Sequence, residues 1–162
     1  AYPVAENGDV TYLQQGIDLA VEHVNQNGGV LGKPLEILVR DDENDGNTAL
    51  QVAQSFADLG VTAVVGHCSS NIFYVAEDTY EENRLLMVTP CATSGSLFEY
   101  EFDYIFRMCA SSANYAQAIA RHIAEQGYNN IAICYSDDVY GIDFANQVEK
   151  PSLPTTSRWR TG

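Results

Sequence analysis

Positive charge is scarce in this 162-residue chain, where eight Lys and Arg residues stand against 22 acidic ones for a formal net charge of −14. That balance argues against nucleic acid as a partner, because gripping phosphates calls for clustered Lys and Arg. The acidity reads instead as a solvated surface that keeps the protein in solution. No run approaches 18 apolar residues and no repeat period shows, which argues against a membrane-spanning helix and a solenoid. With 46% hydrophobic residues the chain is too apolar to stay disordered. There is no G-x-G-x-x-G or P-loop pattern to cradle a nucleotide cofactor. The four cysteines, Cys68, Cys91, Cys109 and Cys134, make no C-x-x-C and have no histidine at zinc-finger spacing, which argues against a structural zinc site. No charged-then-apolar leader opens the chain, so Ala1 reads either as the residue after a cleavage site or as a start in mid-domain.

What is present is an alternation of helical and strand-like segments. From Thr11 to Asn27, Leu13, Ile17, Ala20, Val21 and Val24 recur at helical spacing, and Asn27-Gly28-Gly29 closes the segment. The apolar run Leu35–Arg40 predicts a buried strand. Residues 47–59 predict a helix, 61–65 a strand, 70–83 a helix, 85–88 and 103–108 strands, 111–126 a helix, 131–135 a strand and 140–149 a helix. This order predicts an α/β fold, a doubly wound parallel sheet with helices on both faces. Residues 151–162 hold no acid, end the apolar periodicity and carry the single Trp159, and they read as an unrelated or unstructured tail.

Two loops stand out in this pattern. Gly66-His67-Cys68-Ser69-Ser70 follows one predicted strand, and Thr89-Pro90-Cys91-Ala92-Thr93-Ser94 follows another. Ser69 and Thr93 are 24 positions apart (93 − 69) with one helix between them, the spacing of a strand–helix–strand crossover between parallel neighbours. Both loops then sit at the carboxyl edge of the sheet, where ligands bind in open α/β folds. Cys68 and Cys91 lie on these two loops, so they are either a disulfide, if their Cα atoms fall within about 7 Å, or two small buried thiols.

The run Gly16-Ile-Asp-Leu-Ala-Val-Glu-His-Val-Asn-Gln-Asn-Gly-Gly-Val-Leu-Gly-Lys-Pro-Leu35, with Arg40-Asp41-Asp42 after it, resembles the start of type I periplasmic solute-binding proteins of the leucine/isoleucine/valine-binding class. The resemblance continues in order through Val65–Ser70, Thr89–Thr93, Phe106-Arg107 and Asp137-Asp138-Val139-Tyr140-Gly141, covering roughly residues 2–150. It implies a two-lobed clamshell that closes on a solute in the periplasm, or outside the cell in a membrane-associated form, and presents it to the membrane permease of an ATP-driven (ABC) importer. It implies residues 1–110 as lobe 1 without its first strand, 111–150 as the start of lobe 2, and a signal peptide in the precursor. Members of this class are more than twice as long, so the resemblance marks the chain as truncated at both ends and leads us to expect no tight solute binding from it alone.

The resemblance also implies site residues. Positions matching Ser69 and the Cys91-Ala92-Thr93 loop hold the charged groups of an amino acid or related small carboxylate, with Ser70 and Cys68 beside them. Physics agrees for the serines, since free N–H groups and the positive dipole end of a starting helix suit a carboxylate. A serine there is equally suited to capping its helix, and both roles coexist. Tyr140 matches an aromatic of lobe 2 that closes over the solute, and Asn7 falls where amino-acid binders carry an aromatic over the ligand side chain. His67 reads as a hydrogen-bonded supporting residue behind the site, and Arg107 as hinge support. The Asp41-Asp42 and Asp137-Asp138 pairs lie in separate loops without a matching histidine or nucleophile, so the chain reads as a binder rather than an enzyme, with no cofactor or metal. A ligand-sensing domain of a membrane receptor is the alternative, because the same clamshell serves signalling proteins.

Overall fold

A computed structural model of the chain describes residues 11–150 and 156–161. Helix α1 (Thr11–Gln26) is followed by α2 (Gly46–Leu59), β1 (Ala63–Val65), α3 (Ser70–Glu82), β2 (Leu86–Thr89), a 3₁₀ turn (Ser96–Phe98), β3 (Ile105–Arg107), α4 (Ser112–Glu125), β4 (Ile131–Ser136), α5 (Val139–Glu149) and β5 (Thr156–Thr161). Strands β1, β2 and β3 form one parallel sheet in that order, and β4 pairs with β5 in a second.

The register explains the core. Val64, Met87 and Ile105 stand side by side across the first sheet and are all buried. They face Val52, Phe56, Phe73 and Tyr80 from α2 and α3, and each Phe-sized side chain so buried contributes about 2–3 kcal/mol. One residue along, Val65, Val88 and Phe106 form the opposite row, and there Val65 and Phe106 are more than half exposed. Alternation of period 2 thus puts one face of this sheet against two helices. Helix α2 owes its bounds to Asp45, which accepts from the Thr48 N–H, and to Gly60 in the left-handed region. Gly141 is fixed by crowding: a Cβ there would overlap the Ser136 carbonyl, so only glycine lets α5 start so close to the end of β4.

Two segments differ from the sequence-based expectation. Residues 34–40 form no strand among the described residues, and Leu35, Ile37 and Leu38 are exposed. Their apolar run is real, yet no described strand pairs with it, and the segment is tied back to α1 by Asn25, whose side chain donates to the Leu35 carbonyl at 3.0 Å and accepts from its N–H at 2.6 Å. Residues 156–161, read as part of an unstructured tail, form β5 in parallel register with β4. Thr-Ser-Arg-Trp-Arg-Thr is rich in residues that suit a pleated strand, and β4 offers an open edge.

Helix α3 carries one group at odds with its surroundings. Glu77 is only 8% exposed, and its Oε2 has no hydrogen-bond partner. Burial first, and the neighbouring Asp78 charge second, push its carboxyl up to about 7. A raised carboxylate favours the neutral form in the folded chain, so its contribution is present below about pH 4.5 and lost as pH rises through about 7. Glu77→Gln is therefore expected to stabilise the protein by on the order of 2 kcal/mol at pH 8 and to change little near pH 4.5. Urea unfolding at the two pH values checks this, and a variant no more stable than the parent at pH 8 refutes it.

Candidate functional site

The parallel pairing of β1 and β2 brings their carboxyl ends together, and the two loops predicted from the sequence meet there. Gly66 donates its N–H to the Val88 carbonyl at 3.0 Å, continuing the ladder one residue past β1. Thr89, fully buried at the end of β2, donates its hydroxyl to the His67 carbonyl at 2.8 Å and accepts from the Ala92 N–H at 3.1 Å. Buried Ser70 accepts from the Ser94 N–H at 3.3 Å. Cys68, Ser69, Ser70, Cys91, Ala92 and Thr93 are thereby gathered at one sheet edge. Cys68 and Cys91 are free thiols. Asn7 lies outside the described residues.

The helix starts differ in how they are capped. Asp45, Ser111 and Asp138 cap α2, α4 and α5 with their side chains. Ser69 occupies the same place on α3 and makes no side-chain cap bond. No described hydrogen bond takes up the N–H of Ser70 or Asn71 either. An uncapped helix start with spare donors suits an anionic oxygen.

Behind these loops lies a buried relay. His67, fully buried, holds Asp42 Oδ2 at 2.7 Å through Nδ1 and the Tyr80 hydroxyl at 2.9 Å through Nε2. Burial holds His67 below its ordinary range although Asp42 pulls the other way. Burial would raise Asp42, but the hydrogen bonds from His67 and the Asn44 N–H outweigh it and hold the carboxyl low. The consistent state is an ionised Asp42 accepting from Nδ1–H of a neutral His67, whose Nε2 accepts from Tyr80. Sequence reasoning placed His67 behind the site but missed Asp42 and Tyr80 as its partners. The usable signal was an acid directly after an apolar run, at the same edge of the fold.

The Thr93 loop is held from the other side by the later elements. Ser112 at the start of α4 donates its N–H to the Thr93 carbonyl at 2.7 Å, and Arg107 donates to the carbonyls of Thr93 and Ser94 at 3.3 and 3.0 Å. Its guanidinium also lies 4.5 Å from the Phe98 ring centroid. Asp143 of α5 accepts from the Gly95 N–H at 2.9 Å and from the Ser112 hydroxyl. Burial would raise Asp143, and these bonds with that from Gln147 hold it low instead. Tyr140 donates its N–H to the Asn71 side chain at 3.3 Å, so the starts of α5 and α3 face each other, and the residue is 44% exposed. Tyr140 is thus joined to the loop cluster.

Among known proteins, a family described as "Periplasmic binding protein" matches residues 10–151. The "Leucine-, isoleucine-, valine-, threonine-, and alanine-binding protein" of Pseudomonas aeruginosa is 34% identical over 149 residues, 91% of this chain and 39% of its own length. The Leu/Ile/Val-binding protein of Escherichia coli is 32% identical over 148 residues, 91% of this chain and 40% of its own. Among solved structures, an ABC transporter substrate-binding protein from Desulfitobacterium hafniense in complex with Leu superposes with a TM-score of 0.88 at 34% identity, covering 99% of this chain and 49% of that one. The chain therefore spans about two fifths of the length of the relatives it matches.

The relay sets a pH dependence. A histidine held low in the folded state contributes stability that is present above about pH 6.5 and lost as pH falls through its folded value. The lowered Asp42 adds a second loss below about pH 4. His67→Leu strands a buried carboxylate and is expected to cost about 3 kcal/mol at pH 7.5. The gap between parent and variant narrows as pH drops to 5, because only the parent loses the histidine contribution. Urea unfolding of both at each pH measures it, and a gap independent of pH refutes the assignment.

Proposed function

The chain belongs to the periplasmic binding protein family, and from that premise we propose that it is the solute-gripping part of a protein that captures an amino acid in the periplasm for an ABC importer. One observation carries the reading: α3 begins uncapped, with the hydroxyls of Ser69 and Ser70 and spare N–H groups, directly beside the Cys91-Ala92-Thr93 loop. The α-carboxylate sits at the start of α3, with the Ser69 and Thr93 hydroxyls as further donors. The Cys91 carbonyl accepts from the α-ammonium. Relatives named for leucine, isoleucine and valine favour a branched-chain solute.

The clamshell division assigns residues up to about 110 to lobe 1 and those from 111 to lobe 2, with Tyr140 closing over the solute. The permease of the importer is then the protein partner. No described helix is long and apolar enough to cross a membrane. The work is binding rather than catalysis. Asp42 is committed to His67 and Asp138 to the start of α5, so neither acid pair is poised for proton transfer to a substrate.

Titration of L-leucine into the isotope-labelled chain, followed by amide NMR, tests this. The amides of Ser70, Asn71 and Thr93 are expected to move saturably, with an affinity on the order of millimolar for a grip on the charged end alone. Thr93→Val is expected to weaken binding roughly tenfold, the worth of one hydrogen bond. Shifts confined to other regions, or none at tens of millimolar, reject the reading.

A further inference from the structure

Two of the four cysteines sit on opposite arms of the loop cluster. Cys68 lies three residues past the end of β1 and Cys91 two past the end of β2, on parallel neighbours whose register pairs Val65 with Val88. The Thr89 hydroxyl, bonded to the His67 carbonyl and the Ala92 N–H, fixes the backbone of both arms next to each thiol. Parallel neighbours in register, tied together by this hydroxyl, therefore carry the two thiols on adjacent loops at the same sheet edge. Cys91 is exposed, whereas Cys68 is half-buried. Cys109 donates to the Ala92 carbonyl at 3.7 Å, and Cys134 is on β4 in the other sheet.

We propose that Cys68 and Cys91 form a redox-active thiol pair, converted to an intramolecular disulfide by a small-molecule disulfide such as oxidised glutathione. The exposed Cys91 thiolate attacks one sulfur of the oxidant, forming a mixed disulfide and releasing one glutathione thiolate. Cys68 then gives up its proton to solvent and attacks the Cys91 sulfur, expelling the second glutathione. The protein dithiol is oxidised by two electrons and the oxidant is reduced to two thiols. Burial first, and the neighbouring Cys91 second, push the Cys68 thiol up to about 12, which leaves the first attack to Cys91; Cys68 attacks second because the mixed disulfide is then held beside it. The bridge ties the two arms of the cluster together, and its formation does not depend on the identity of any solute.

The reduced 162-residue chain, folded and treated with oxidised glutathione, is read by intact mass and by peptide mapping, in parent and in a Cys134→Ser background. The expected product has lost two hydrogens, about 2 Da, and yields a peptide linking Cys68 to Cys91. Cys68→Ser is expected to stop at a lasting glutathione adduct on Cys91. A lasting adduct on Cys91 while Cys68 is present, a bridge from Cys91 to Cys109, or no bridge at all overturns the proposal. Should either variant fold poorly, peptide mapping of the parent chain alone separates the same outcomes.

Discussion

One hydroxyl holds the two arms of the site together. Thr89 sits at the last position of β2 with no solvent exposure, and its single oxygen both donates to His67 on one loop and accepts from Ala92 on the other. A buried hydroxyl left without partners costs about 1–3 kcal/mol, so the geometry of both loops is coupled to this one side chain. Valine, its near isostere, would fill the same volume and serve neither loop. Everything forward of it, the uncapped start of α3 and the Thr93 loop, depends on that junction. The Asp42–His67–Tyr80 relay then fixes the first loop from behind, since His67 takes part through its backbone carbonyl as well as both ring nitrogens.

Burial acts on the chain in two opposing ways. In His67 it disfavours the cation, and Asp42 and Tyr80 satisfy the neutral ring. In Glu77, four residues along α3 from Phe73, it disfavours the anion, and Oε2 receives no compensating bond. The first group is stabilising at neutral pH and the second is not. As pH falls below about 6.5 the histidine contribution begins to be lost while the Glu77 contribution is being gained, so the two changes oppose each other there.

Much of this was legible in the sequence because it rests on local pattern. The helical periodicity of 11–27, the apolar runs ahead of Gly66 and Thr89, and the 24-residue interval from Ser69 to Thr93 place the two arms without any tertiary information. What escaped depends on partners distant in the chain. Leu35–Arg40 has the composition of a strand, but pairing decides whether a strand exists, and none of the described strands pairs with it. Thr156–Thr161 has a weaker pattern and does find a partner in β4. Asp42 and Tyr80 are 25 and 13 positions from His67. No local rule links an acid in one loop, a histidine in the next and a tyrosine near the end of a helix.

The backbone of the Thr93 loop shows how polar groups are left open at the sheet edge. The Thr93 carbonyl is taken by Ser112 and Arg107, the Ser94 carbonyl by Arg107, the Ser94 N–H by Ser70, and the Gly95 N–H by Asp143 and Ser112. These bonds consume the groups that point back toward α4 and α5 and fix the loop on that side. No described hydrogen bond uses the Thr93 hydroxyl, the Ser69 hydroxyl or the Cys91 carbonyl. Donors and acceptors held rigid by satisfied neighbours lose little entropy when a ligand meets them, which is what preorganisation means for affinity. The bonds to Ser112 and Asp143 run from residues before Met108 to residues after Ala110, so a shift of α4 or α5 must move the Thr93–Gly95 loop. The coupling of these helices to the loop thus runs through Ser112 and Asp143.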